Sequence, residues 1–185
     1  MNENAEQATT PGLTLPPLPS PERIQELLFD AARIGRTDMI PALLHGGANI
    51  EAIDSKGYSA LILASYNGQQ DATALLLNLG ASVDQPDEVR GNTALMGVAF
   101  KGYDTIAGLL LVAGANPHSV NRAGQTALMM ASLFDHYAIV DRLLALGADP
   151  RATDVAGNSA ISVANDQGNA KMASYLETRA RSANG

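Results

Sequence analysis

The chain has 185 residues, a formal net charge of −7 and a sequence pI of about 4.8. This acidic balance disfavours nucleic acid and anionic membrane surfaces, because both recruit a basic footprint. The lack of cysteine excludes disulfides, thiolate nucleophiles and Cys-ligated zinc, and no apolar run approaches the ~20 residues that span a bilayer.

Residues 1–21 read as a disordered, Pro-rich tail. Five of the nine prolines fall between Pro11 and Pro21, and such a segment buries too little apolar area to offset its ordering entropy. Pro16-Pro17-Leu18-Pro19 matches a PxxP ligand, a match that is common by chance. The tail has neither a positive n-region nor an apolar h-region, so it does not read as a signal peptide. The location expected is therefore cytoplasmic; a periplasmic one would need a native signal peptide to have been removed.

From Glu22 the chain repeats itself. Gly57-Tyr58-Ser59-Ala60-Leu61 returns as Gly91-Asn92-Thr93-Ala94-Leu95, as Gly124-Gln125-Thr126-Ala127-Leu128 and as Gly157-Asn158-Ser159-Ala160-Ile161, at spacings of 34, 33 and 33 residues. A second word, Gly47-Ala48-Asn49, recurs at Gly80, Gly114 and Gly147, spaced 33, 34 and 33. One extra residue therefore lies in the stretch Pro86–Arg90. A fixed period of this size marks a solenoid, in which each unit buries its apolar face only against its neighbours.

Each word has a physical reading. The glycine before each Ser or Thr suits a tight turn with positive φ. Ser59, Thr93, Thr126 and Ser159 are placed to cap a first helix through their hydroxyls. Gly35, Gly68, Gly102 and Gly168 can end that helix in the left-handed conformation. A second helix follows, with apolar residues at helical spacing as in Ala74–Leu79, and Gly47, Gly80, Gly114 and Gly147 end it. Asp135 stands where a helix-ending glycine is expected, which predicts a strained turn. Leu61, Leu95, Leu128, Ile161, Leu76, Leu110 and Leu143 are expected in the core.

These words resemble the ankyrin repeat, whose core reads D-x-x-G-x-T-P-L-H, then A-x-x-G, L-L and G-A-D/N. Asp54, Gly57, Leu61, Ala64, Gly68, Leu76 and Gly80-Ala81 match in one unit, and the likeness runs over about residues 22–180. It implies an all-α repeat solenoid of about five stacked repeats, each a helix-turn-helix plus a β-hairpin loop. The expected units are 22–53, 54–86, 87–120, 121–153 and 154–181, with 182–185 as a C-terminal tail. The family's Pro-Leu-His becomes Ala60-Leu61-Ile62, Ala94-Leu95-Met96, Ala127-Leu128-Met129 and Ala160-Ile161-Ser162. Ile and Met cannot make the hydrogen bonds of that His, so packing must hold the joint.

No catalytic residues are expected. His45, His118 and His136 share no metal-ligand spacing, the carboxylates of Asp54, Asp84, Asp87 and Asp154 fit turn chemistry, and no phosphate loop or nucleophile elbow occurs. Neither a metal nor a cofactor is called for, and the chain is expected to be a monomer. An enzyme would need a carboxylate or His pair converging in a groove.

The resemblance implies instead another protein as partner, docked on hairpin tips and inner helices. Mapped on this chain, that surface comprises Arg33, Tyr58, Tyr66, Arg90, Phe100, Lys101, Arg122, Leu133 and Phe134. Tyr58, Tyr66, Phe100 and Phe134 are half of the eight Phe and Tyr residues, and exposed rings in a row are what an interface hot spot needs. Arg33, Arg90, Lys101 and Arg122 on the same side point to an acidic component in the partner. The wording of Thr93–Gly102 and Thr126–Ser132 is similar to small bacterial ankyrin proteins. Some of those support a catalase or an oxidative-stress response, which is the alternative reading.

Overall fold

The computed structural model describes residues 19–182. The expectations for residues 1–18 and 183–185, including the PxxP segment, lie outside the described residues.

Serine and threonine hydroxyls set where the first helix of each pair begins. Ser20 accepts the N–H of Arg23 and starts α1 (Pro21–Ile34), with Pro21 in the first turn where its missing N–H costs nothing. Ser59, Thr93, Thr126 and Ser159 accept the N–H three residues on, starting α3 (Ala60–Tyr66), α5 (Ala94–Lys101), α7 (Ala127–Leu133) and α9 (Ala160–Asp166). The partners are α2 (Ile40–His45), α4 (Gln70–Asn78), α6 (Asp104–Val112), α8 (Tyr137–Ala145) and α10 (Ala170–Ser182). Ten helices thus form five antiparallel pairs among the described residues. Odd-numbered helices stack in an inner row, and α4, α6 and α8 stack in an outer row.

The hairpins between pairs are short. Single antiparallel bridges close them at Ile53–Ser59, Val120–Thr126 and Thr153–Ser159. The loop at Asp87 is wider. Asp54 N–H reaches the carbonyl of Tyr58, four residues on, whereas Asp87 N–H reaches that of Asn92, five on. That is the place of the extra residue in the repeat. The buried Asp87 carboxylate accepts the N–H groups of Val89, Arg90, Gly91 and Asn92 at 2.6–3.2 Å, so every amide of the enlarged loop is satisfied. At 14 residues, α1 is longer than the other inner helices.

The core is thin and built from small residues, which is why so few aromatic rings suffice. Leu28, Leu61, Leu95 and Leu128 form one fully buried column, and Leu76, Leu110, Leu143 and Leu176 another. Alanine, or serine bonded to its own helix, fills the last turn of the inner helices. Ser65 and Ser132 are wholly buried and donate to the carbonyls of Ile62 and Leu128. Ile62, Met96 and Met129, at the joint expected to rely on packing, are all buried. Ile161 departs from the expected core. It is half-buried, because α9 has a neighbour in the inner row on one side only.

A third column ties each layer to the one before it. Gln69, Tyr103, His136 and Asn169 recur at spacings of 34, 33 and 33, each just ahead of an outer helix. Each reaches back over the preceding layer's turn. Gln69 donates to the Arg33 carbonyl, the ring of Tyr103 covers Gly68, and His136 Nε2 lies 3.2 Å from the carbonyl oxygen of Phe100. A Cβ on Gly102 would fall 2.5–2.9 Å from three atoms of the His136 ring. Glycine there thus answers both a φ of +78° and a steric limit. At Asp135 the Cβ is present and φ is +62°, the only positive φ outside glycine among the described residues. The expected strained turn is there. It coincides with the smallest side chain of the column, Asn169, whose amide donates to the Asp135 carboxylate.

The outer row carries an ion pair of its own. Arg142 spans from α8 to Asp104 on α6 through two contacts of 2.6 and 2.9 Å, lying across Gly108. The hydrogen bonds and charge of Arg142 hold the Asp104 carboxyl below its usual range.

Three stability outcomes follow. Leu95→Ala should cost about 2–5 kcal/mol in urea titrations, the range for truncating a fully buried leucine. Gly102→Ala should destabilise clearly more than Gly114→Ala. Both have positive φ, but a Cβ on Gly114 meets nothing within 4 Å, so its cost should be about 1–2 kcal/mol of backbone strain alone. Asp104→Asn should cost under about 1 kcal/mol at pH 7, because the pair is well exposed. A depressed carboxyl pKa contributes stability above its unfolded value of about 4. The contribution is lost as pH falls through the lower folded value, so the two proteins should melt alike in strong acid.

Candidate functional site

The hairpin tips and the C-terminal ends of the inner helices face one groove of about 550 Å³, bounded by the second and third layers. Arg33, Tyr58, Tyr66 and Arg90 line it, together with Asp54, Lys56, Ile62, Val89 and Gly97. Phe100, Lys101 and Phe134 continue the same row beyond it along the stack.

Three of the four expected rings face solvent. Tyr66 is 42%, Phe100 41% and Phe134 44% exposed. Phe100 and Phe134 meet edge to face with centroids 4.7 Å apart, and Phe134 stacks on His136 at 6.2 Å. The ring of Tyr66 lies over Gly97, where a Cβ would fall 3.2 Å from its Cδ2. Glycine in mid-helix weakens α5 by roughly 1 kcal/mol relative to alanine, and here it gives the tyrosine a seat. Lys101 Nζ stands 5.0 Å from the centroid of the same ring, within cation–π range. Tyr58 departs from the expectation of an exposed ring. It is half-buried against the core, because it sits on the strand side of the hairpin that turns back into the stack. Leu133 is likewise half-buried.

The cations divide in two. Arg33 is neutralised by Asp30 at 2.8 Å and Asp54 at 3.4 Å. Arg90 and Arg122 are exposed on their hairpin tips. Arg122 donates through its side chain to the Val89 carbonyl at 3.2 Å, and through its backbone N–H to that of Arg90 at 2.9 Å. The same hairpin-to-hairpin backbone bond recurs as Glu88 to Gly57 and Val155 to Ala123, so the tips form a continuous rim. A Cβ on Gly57 would lie 2.8 Å from that of Glu88, which makes glycine the residue that lets adjacent hairpins touch.

Sequence reasoning placed Lys56 and Val89 on the hairpin tips but left them out of the expected partner surface, and both line the groove. It also missed the function of Gly97. The signal was available: a glycine inside a helix is conspicuous on propensity grounds.

Three of the four carboxylates assigned to turn chemistry, Asp54, Asp87 and Asp154, hold amides of their own loops, whereas Asp84 accepts the N–H of Asn116 in the next layer and so ties two layers together. Asp54 accepts the N–H groups of Lys56 and Tyr58, and Asp154 those of Ala156 and Asn158. The Asn158 amide holds the Asp154 carboxyl below its usual range. A second cavity of about 600 Å³ lies at the far end between α8 and α10, beside Asp141, Arg151 and Arg179. Among the described residues there is no cluster of three or more His, Asp and Glu side chains that could hold a metal. Nor is any helix long and apolar enough to cross a membrane.

A family model described as ankyrin repeats, in three copies, matches residues 28–119 and again residues 95–182. No curated protein matches the chain. Ankyrin repeats generally mediate protein–protein interaction and are typically non-catalytic. With that match spanning nearly all of the stacked layers, the chain belongs to the ankyrin-repeat family.

Proposed function

We propose that this chain is a protein–protein interaction module, without catalytic activity, that takes its partner on the concave surface of hairpin tips and inner-helix ends. The observation that carries this reading is the row of Tyr66, Phe100 and Phe134. These rings are rigid and lose little conformational entropy on binding, and they sit in consecutive layers. Each leaves about two-fifths of its surface in water. Aromatic residues of this kind are enriched among the few side chains that dominate binding energy. Val89, 57% exposed on the rim beside them, widens the apolar patch. The chemistry of the groove does not favour a catalase over other protein partners.

Affinity capture from a lysate of the source cell tests the reading, using the wild type beside a Tyr66→Ala/Phe100→Ala/Phe134→Ala variant. Removing three partly exposed rings should lower the melting temperature, because Phe100 and Phe134 pack on each other, but leave a folded protein with a cooperative transition. It should weaken capture at least tenfold, the effect of losing hot-spot contacts. A protein retained by the wild type alone supports the concave surface. Equal retention by both proteins moves the interface to the outer helices. A catalase in the wild-type eluate would support the narrower helper role.

A further inference from the structure

The distribution of unpaired charge is uneven in a way the net charge conceals. Of the twelve Lys and Arg residues, six reach a carboxylate within the described chain. Four of the other six, Lys56, Arg90, Lys101 and Arg122, lie on the hairpin tips and inner-helix ends of the second to fourth layers. On the same surface the acidic groups are already engaged. Asp54 is held by Arg33 and two hairpin amides, and Asp87 is buried under four. Glu88 is the exposed carboxylate left on the rim. An acidic protein therefore presents a basic strip beside its exposed rings. The strip stops at the fifth layer, where the inner helix ends in an exposed Asp166 and the hairpin tip carries Val155, 80% exposed.

Resting on the concave-surface reading above, we propose that the partner supplies an acidic segment that lies extended along the rim. Its carboxylates would meet Lys56, Arg90 and Arg122, and its intervening apolar side chains would seat on Tyr66, Val89 and Phe100. The spacing follows from the stack. Packed helices stand about 8–10 Å apart, and an extended polyproline II segment advances about 3.1 Å per residue with about three residues per turn, so every third side chain faces the same way. One layer is therefore crossed in about three residues, so acidic residues recur about every third position. Charge at such a rim sets association rate and specificity, while the rings supply the buried area. The segment comes from a protein, because the rings require apolar side chains between the charges.

A random peptide library of about 12 residues, long enough to cross three layers when extended, displayed on phage provides the probe. The selected sequence is then synthesised with a fluorophore, and its Kd is read by anisotropy. Selection should enrich Asp and Glu about three positions apart with apolar residues between. The Lys56→Ala/Arg90→Ala/Arg122→Ala variant should bind about tenfold more weakly, each exposed pair contributing modestly. Lys56→Arg/Arg90→Lys/Arg122→Lys should bind like the wild type. Raising salt from about 0.05 to about 0.5 M should reduce the wild-type affinity and leave that of the alanine variant nearly unchanged. Thermal melts of each variant establish that folding is intact. A neutral or basic consensus, a failure to enrich any peptide, or a charge variant within twofold of wild type overturns the acidic-segment proposal. If a Tyr66→Ala/Phe100→Ala variant still loses binding in that last case, the concave-surface reading stands alone. If both variants bind like wild type, both readings fall.

Discussion

No layer of this protein can be stable alone, and everything else depends on how closely two layers approach. A pair of helices of seven to nine residues has apolar groups on both broad faces, too many to solvate and too few to enclose a core of their own. Close approach is secured in three places. Small residues line the ends of the inner helices, glycine lets the hairpins of successive layers touch, and glycine at the inter-helix turn accepts a side chain of the next layer. The Gly102–His136 and Gly57–Glu88 contacts leave no room for a methyl group. The family likeness rests on these glycines for the same reason.

Asp135 indicates how much the stack tolerates. A residue with a Cβ occupies the left-handed turn, and the facing residue of the next layer is Asn169, whose amide bonds it. The two positions are 34 apart in sequence and read as unrelated, but in the stack they are one joint. The enlarged loop at Asp87 is a comparable accommodation. An extra residue adds amides that need partners, and one carboxylate takes four of them. Both irregularities are absorbed locally, so the rows of equivalent side chains on either side continue in register.

Register is what turns a stack into a continuous surface. Positions 33 or 34 apart become neighbours, so one exposed ring per layer becomes a row and one cation per hairpin becomes a strip. Acidic side chains drop out of the strip because the hairpins use them internally to hold their own amides. On the outer row they pair across layers, as Asp104 does with Arg142. Of the six cations without a carboxylate partner among the described residues, a chain of net charge −7 thereby leaves four on the face that also exposes its rings.

The repeat period, the hydroxyl caps, the positive-φ glycines and the leucine columns were all legible in the sequence. Each is a local rule, satisfied within one turn of chain or repeated at a fixed interval. Tyr66, Phe100 and Phe134 were legible as exposed for the same reason, since a position in the repeat predicts a face. The tertiary structure decided what depends on a neighbour. Ile161 is only half-buried because the inner row ends at α9, Tyr58 turns inward with its hairpin, and Arg33 is neutralised by Asp54 from the next layer. The Gln69–Tyr103–His136–Asn169 column escaped the reading of the sequence because its four residues share no chemistry. They share only a position above the same turn, and that shared role exists once the layers are stacked.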